Sequence, residues 1–99
     1  MEKIRDYATG KMINNTPEEK YRQEFEHILI DDLGYPKSHI DIEVIIQRGA
    51  KRNAEEADIV VFRNERKEQE NAYIVVEIET PKKGSMYLPV KCGIYGVNK

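Results

Sequence analysis

One segment of this 99-residue chain has the apolar spacing of an amphipathic helix, and it restricts the folds that the chain can adopt. Residues 16–19, Thr-Pro-Glu-Glu, have the pattern of an N-cap, a first helical proline and a capping box. Gly34 and Pro36 favour an end of the helix just after residue 33. The sequence therefore predicts a helix over residues 17–33. Its predicted buried stripe consists of Tyr21, Phe25, Ile28, Leu29 and Leu33.

Three stretches rich in β-branched residues follow this helix, each short enough for a single strand. Residues 40–46 begin with strict alternation of apolar and charged side chains, which predicts a half-buried strand. Residues 57–62 and 72–79 are almost continuously apolar, which is typical of central strands. Residues 1–15 show no period, and we expect a leader that packs through a few apolar contacts. The sequence thus predicts an α/β domain whose opening helix packs on a small mixed β-sheet.

The end of the chain is difficult to place in such a sheet. Residues 94–97 fit a further strand, but only a short connector with prolines and glycine separates them from the strand that ends at Glu79. A parallel crossover needs a dozen or more residues, usually helical. We therefore hold two hypotheses for the domain of residues 16–99. Either residues are missing near 83–86, or the domain is truncated there.

Composition limits the class of function. With 39% hydrophobic and 34% charged residues, the chain has the composition of a soluble globular domain, and no apolar run approaches the roughly 20 residues that span a membrane. The single cysteine, Cys92, excludes an internal disulfide and favours a cytoplasmic location. The net charge of −2 lacks the basic excess that is usual in dedicated DNA-binding domains. His27 and His39 fit no metal-ligand spacing.

Carboxylates near the ends of the two apolar strands indicate a possible metal site. Asp58 lies one residue into the stretch 57–62, and Glu77 and Glu79 share one face of the next strand. Three acids that converge there would repel one another without a cation, and hard ions such as Mg²⁺ favour oxygen ligands. The alternative is that acids at strand ends simply meet solvent. Spacing alone does not decide between the two.

Five stretches of the chain have a recognisable combination of residue types, in order: residues 6–11, TPEEKYRQEF (16–25), LGYP (33–36), ADIVVF (57–62) and YIVVEIETP (73–81). Together they resemble the N-terminal domains of type I restriction enzyme R subunits, which belong to the PD-(D/E)XK nuclease superfamily. Residues 6–11 are similar to the leader of that family. The resemblance covers residues 4–82 and implies a restriction-endonuclease-like α/β fold.

The resemblance also implies a site and a reaction. Asp58, Glu77 and the backbone carbonyl of Ile78 would hold Mg²⁺, or Mn²⁺ in its place, for hydrolysis of DNA phosphodiester bonds. Glu24 matches a first-helix acid that orients water or another ligand; its alternative is an exposed residue paired with Lys20. The implied partners are double-stranded DNA and the specificity and methylation subunits of a restriction complex. No Gly-rich phosphate loop occurs, so ATP would act only through a motor domain downstream of this chain.

The sequence departs from the family motif at Glu79, which stands where the motif has a lysine that neutralises charge during the reaction. Loss of such a contact costs about 10²–10³ in rate. Lys82, Lys83 and Lys51 are candidates for a relocated lysine, and the alternative for each is a solvated surface position. Four functions stay open: an active endonuclease, an inactive domain of the same fold for DNA contact or subunit docking, the N-terminal domain of a DNA methyltransferase or another defence protein, and a protein-interaction module unrelated to nucleic acid.

Overall fold

A short hairpin precedes the helix of this domain. The computed structural model describes residues 2–47 and 54–78, together with the backbone of residues 90–94. Strand β1 (Lys3–Arg5) pairs antiparallel with β2 (Met12–Asn14) in a two-stranded sheet of their own. The leader predicted to lack regular structure is therefore a β-hairpin.

Helix α1 (Glu19–His27) follows the hairpin and continues as a π-helical turn, Ile28–Asp32. Gly34 has a φ of 80°, which glycine adopts without strain, so the predicted end of the helix is confirmed. The predicted capping box is wrong, because no side chain caps the N-terminus of α1. The Glu19 carboxylate instead accepts hydrogen bonds from the Arg22 guanidinium, and charge-assisted pairs of this kind are stronger than neutral ones.

The second sheet has four strands in the order β3-β4-β5-β6, and each neighbouring pair is antiparallel. The three predicted strands are confirmed, but the prediction of a mixed sheet is wrong. An antiparallel neighbour needs no crossover, and the hypotheses of missing residues or truncation near 83–86 stay predictions. Residues 83–86 themselves lie outside the described part of the chain. The strands are β3 (Ile40–Ile46), β4 (Glu55–Phe62), β5 (Ala72–Ile78) and β6 (Val90–Ile94), the last in place of the predicted 94–97.

Apolar side chains form two separate clusters on this sheet. Ile40 belongs to the first and Ile46 to the second, although strict alternation would keep both on one face of β3. The side chains of β3 therefore change from one face of the sheet to the other between Ile40 and Ile46. Glu43, which lies between these two residues, has a φ of 53°. The first cluster contains Ala8, Leu29, Ile40, Ile59, Val61, Ile74 and Val76, and the second contains Ile46, Ala57, Val60, Phe62, Ala72 and Val75.

The buried face of α1 and the turn after it differs from the predicted apolar stripe. Leu29 is buried and Phe25 packs against the first cluster, as predicted. Leu33, however, is 61% exposed and Ile28 is 38% exposed. The buried residues within α1 itself are polar, at helical spacing: Glu19, Arg22 and Glu26. Within the described ranges, no helix combines the length and the apolar content that crossing a membrane requires.

The hairpin supplies hydrogen-bonding partners for this polar stripe. Besides an apolar contact through Ala8, the leader buries Asp6, which is 1% exposed and close to the fully buried Glu26. The Gln23 side-chain amide donates to Asp6 Oδ1 at 2.8 Å, and the backbone N–H of Ala8 donates to Glu26 Oε1 at 2.8 Å. The leader thus packs largely through hydrogen bonds, where the sequence predicted a few apolar contacts.

Two carboxyl groups share this buried environment and titrate differently. Burial, reinforced by the hydrogen bond and the charge of Asp6, raises the pKa of Glu26 to about 9. Burial opposes ionisation of Asp6 as well, but hydrogen bonds from Glu26, Gln23 and Thr9 hold the pKa of Asp6 below its ordinary value. At neutral pH Glu26 is therefore protonated and Asp6 is ionised, so only one negative charge is buried here.

We expect the free energy of unfolding to fall as pH rises from about 5 to about 8, by at most about 1.4 kcal/mol per pH unit from this pair. The folded chain keeps the Glu26 proton up to a pKa of about 9, whereas the unfolded chain releases it near the ordinary value of 4.5. The stabilisation that this proton provides is therefore present at low pH, and it is lost as the pH rises towards the pKa of Glu26 in the folded chain. Asp6 contributes an opposite slope only below its ordinary pKa of 3.8.

Urea unfolding at several pH values would measure this dependence. Glu26→Gln keeps a neutral hydrogen-bonding side chain, so we expect its unfolding free energy to vary less with pH than that of the wild type. Glu24→Gln, at an exposed position of the same helix, is the matched control and should keep the wild-type slope. If the unfolding free energy of Glu26→Gln varied with pH as steeply as that of the wild type, this would contradict a protonated Glu26 at neutral pH.

Candidate functional site

Asp58 lies where β4 changes the face of the sheet that its side chains occupy. Ala57 packs in the second cluster and Ile59 in the first, so the regular alternation of the strand breaks between them. The antiparallel register places Asp58 opposite Glu43, where β3 makes the same change. β3 and β4 are therefore both irregular where Glu43 and Asp58 lie opposite each other. Both of these acids line the same cleft.

This cleft, of about 390 Å³, is bounded by the hairpin, the start of α1 and the two irregular strands. Among the described residues of its lining, acidic ones outnumber basic ones, which leaves a formal excess of two negative charges. Such an excess is costly in a partly enclosed space unless a cation enters it. The charged residues of the lining are Glu18, Glu19, Glu43 and Asp58 against Lys3 and Arg22.

The side chain of Asp58 connects β4 with β5. Its Oδ2 accepts a hydrogen bond from the backbone N–H of Ile78 at 2.7 Å. Continuing the register by one step from the pair Ile59–Val76 places Asp58 opposite Glu77, and both acids are half-buried. The structure thus brings Asp58 next to Ile78 and in register with Glu77. Glu77 itself is not part of the described lining of the cleft.

Arg22 connects α1 with β4 at the same place. Its Nη1 donates to the backbone carbonyl of Asp58 at 3.3 Å, and its Nε and Nη2 donate to the carboxylate of Glu19. The side chains of Arg22 and Glu19 are only 7% and 6% exposed. Burial would lower the pKa of Arg22, but the hydrogen bond and charge of Glu19, with the charges of Glu43 and Asp58, raise it. The guanidinium is therefore a permanent positive charge beside Asp58.

Glu24, the predicted first-helix acid, lies away from the cleft. It is exposed on α1, and the acid of this helix that lines the cleft is Glu19. The two are five residues apart, which corresponds to a rotation of about 140° around the helix. The described residues include no ion pair between Glu24 and Lys20. The placement agrees with the alternative of an exposed helix residue.

Several predicted site residues lie outside the described part of the chain. They include Glu79 and the candidate lysines at positions 51, 82 and 83. Among the residues that are described, no group of three or more His, Cys, Asp or Glu is arranged to hold a metal ion. The convergence of three acids is thus not found there, and the metal site formed by Asp58, Glu77 and the carbonyl of Ile78 stays a prediction.

The two histidines, for which the sequence predicts ordinary surface or packing roles, lie at an exposed position (His27) and a half-buried one (His39). His27 stacks on Tyr7 with ring centroids 3.7 Å apart and contacts Asp31 through Nδ1 at 2.8 Å. His39 ends a short 3₁₀ turn before β3. For Cys92 only the backbone, in β6, is described.

Of the charged residues that line the described part of the cleft, the sequence predicted a site role for Asp58 alone; Glu19, Arg22 and Glu43 are among those it missed. Glu19 and Arg22 carry a weak signal, because opposite charges three residues apart in a helix often pair. Nothing in the sequence distinguished Glu43 from the other charged positions of an alternating strand. The register also places Lys91 of β6 opposite Glu77, and that position too had no role in the analysis of the sequence.

The described residues form an α/β domain in which one helix packs against small antiparallel sheets, with an acidic cleft beside its central strands. This chain belongs to the family described as type I restriction enzyme R protein N terminus (HSDR_N), whose family model matches residues 17–88. The family that the sequence resembled is thereby confirmed. No curated protein and no solved structure gives a significant match.

The positive φ of Glu43 predicts an unusual response to glycine. A residue with a Cβ in this conformation costs about 1–2 kcal/mol, whereas glycine in a strand costs about 0.5–1 kcal/mol through its entropy. We therefore expect Glu43→Gly to keep or raise the free energy of unfolding, by up to about 1 kcal/mol. Glu56→Gly, at an exposed position of β4 whose φ is not positive, is the matched control and should lower it. Equal losses in urea unfolding would contradict the strain at Glu43.

Proposed function

We propose that this domain is the Mg²⁺-dependent DNA endonuclease of a type I restriction-modification motor subunit, with a PD-(D/E)XK site on a restriction-endonuclease-like fold. Membership of the R protein family supplies the context of a restriction enzyme. The observation that carries the proposal is the position of Asp58, which bonds to Ile78, is in register with Glu77 and lines an acidic cleft. Double-stranded DNA and the specificity and methylation subunits are the proposed partners, and ATP acts through a motor domain elsewhere in the subunit.

The donor set suits Mg²⁺. Two carboxylates and a backbone carbonyl are hard oxygen ligands, and Mg²⁺ in proteins usually keeps several waters and binds through one or two carboxylates. The N–H of Ile78 engages Oδ2 of Asp58, so Oδ1 of Asp58 is the oxygen that we assign to the metal. The described residues of the cleft lining carry a formal charge of −2, which a divalent cation would balance.

The residues of the chain would orient the reaction, while a bound Mg²⁺ would polarise the attacking water and offset charge on the phosphate. The hydrogen bond from Ile78 holds the Asp58 carboxylate at the boundary of β4 and β5. The role of Glu24 as a water-orienting acid stays a prediction from the sequence; the acid of α1 that lines the cleft is Glu19. Glu79 stands at the lysine position of the motif and cannot supply a positive charge. Lys82 is therefore the candidate for the role of that lysine.

A second candidate function follows from Glu79 itself. A carboxylate at the lysine position opposes the charge compensation on which the reaction depends, which favours a catalytically inactive domain. Such a domain would keep the fold for DNA contact or for docking to other subunits. The two functions make different predictions for the effect of restoring the lysine.

Cleavage of supercoiled plasmid in Mg²⁺ or Mn²⁺ tests the endonuclease. We expect slow nicking by the wild-type chain, loss of nicking in Asp58→Asn, and a rate about 10²–10³ higher in Glu79→Lys. Asp58→Asn keeps an acceptor for the N–H of Ile78, so its effect reports on charge more than on folding. Asp32→Asn, an exposed position outside the cleft lining, should nick like the wild type.

The pattern of activity separates the candidates. Nicking by Glu79→Lys alone would mean a site that retains its metal ligands and lacks only the lysine, which favours the inactive domain. Nicking that survives in Asp58→Asn would place the chemistry elsewhere. If neither the wild type nor any variant nicked the plasmid, and calorimetry also detected no metal binding, the endonuclease proposal would be contradicted.

A further inference from the structure

Two basic residues line the cleft beside Asp58, and they differ in how firmly they are held. Lys3 is exposed in a strand of only three residues. Arg22 is 7% exposed on α1, where its carboxylate partner Glu19 holds the guanidinium through two hydrogen bonds. Arg22 is therefore the positive charge whose position relative to Asp58 is set by the fold.

The guanidinium of Arg22 has more N–H donors than it uses towards the described residues. A guanidinium carries five N–H donors, and among the described residues Arg22 directs three of them to partners, two towards Glu19 and one towards the Asp58 carbonyl. The two that remain belong to Nη1 and Nη2. Paired donors on a planar guanidinium match the oxygens of a phosphate, which is why arginine is frequent in phosphate recognition.

A purely structural role accounts poorly for this arrangement. The bond from Nη1 to the Asp58 carbonyl is 3.3 Å long, at the weak end of the range for hydrogen bonds, so it is a poor clamp between α1 and β4. A buried ion pair by itself adds little to stability, because desolvation of both charges offsets their attraction. The position of the Arg22 guanidinium in the lining of the cleft is better explained by a role in binding an anion there.

We propose that Arg22 binds a DNA phosphate in this cleft and holds it beside Asp58. The inference rests on the proposed nuclease site and names a residue of the opening helix as part of its substrate contact. Glu19 is a positioning residue, since it fixes the guanidinium plane and leaves the charge of Arg22 on the cleft side. The phosphate would lie between Arg22 and the cation that Asp58 holds.

Binding of a short fluorescein-labelled DNA duplex to the 99-residue chain, followed by anisotropy in Ca²⁺, tests this role. The key variant is the double substitution Glu19→Gln with Arg22→Gln, which removes both charges and leaves no unpaired buried carboxylate. We expect its affinity to fall about tenfold, with the slope of log K against log salt between about 50 and about 200 mM reduced by about one. Lys20→Gln removes one charge from an exposed position of the same helix and should have little effect on affinity.

Glu19→Gln alone separates the charge of Arg22 from the ion pair. It leaves the cation in place and removes a nearby negative charge, so we expect DNA affinity to be unchanged or a few-fold tighter. Affinity lost equally in Glu19→Gln and in the double variant would overturn the inference, because the ion pair would then act only by supporting the fold. So would a double variant, folded by circular dichroism, that binds like the wild type, or a wild-type chain that does not bind.

Failure of this inference can be distinguished from failure of the nuclease proposal. Binding that depends on Arg22 without any Asp58-dependent cleavage would support phosphate recognition and count against catalysis. Cleavage that depends on Asp58 but proceeds at the wild-type rate in the double variant would support catalysis and overturn the role of Arg22.

Discussion

The burial of a polar stripe on α1 is the constraint on which the rest of this domain depends. Glu19, Arg22 and Glu26 are all under one-tenth exposed, and ionised or polar groups at such positions need partners. The hairpin meets this requirement for Glu26 through Asp6 and the N–H of Ala8, and β4 contributes the carbonyl of Asp58 to Arg22. Removing one partner of a buried charge costs about 3–5 kcal/mol. The contacts of Glu26 therefore hold the hairpin against the helix, whereas the long bond from Arg22 adds little to the attachment of the helix to β4.

The cleft arises from an irregularity that two strands share. A regular strand would send Ile40 and Ile46 to the same face, and the exchange of faces at Glu43 requires a backbone conformation that costs about 1–2 kcal/mol. Asp58, opposite Glu43, is the point where β4 makes the same exchange. Strained residues cluster at functional sites because the surrounding structure holds them in place. The strain at Glu43 and the acids beside it thus belong to one structural feature.

Much of the organisation could be predicted from local sequence. The helix, its end at Gly34 and the strands predicted over 40–46, 57–62 and 72–79 follow from apolar periodicity and from the backbone preference of glycine. Asp58 was found because an acid inside an apolar run is conspicuous, and its contact with Ile78 agrees with the predicted meeting of two strand ends. The order of residue types was also enough to indicate the family to which the chain belongs.

The direction of β6, the buried face of α1 and the walls of the cleft were decided only by the tertiary structure. Periodicity records which residues are apolar, and it therefore selected Leu33 for the core and overlooked Arg22. A charged side chain is buried when distant parts of the chain bring it a partner, and no local pattern contains that information. Strand direction likewise depends on pairing between strands, which residue preference does not encode. The sequence by itself determined the helix, the three strands that follow it and the family; long-range pairing of polar groups decided which residues share the site.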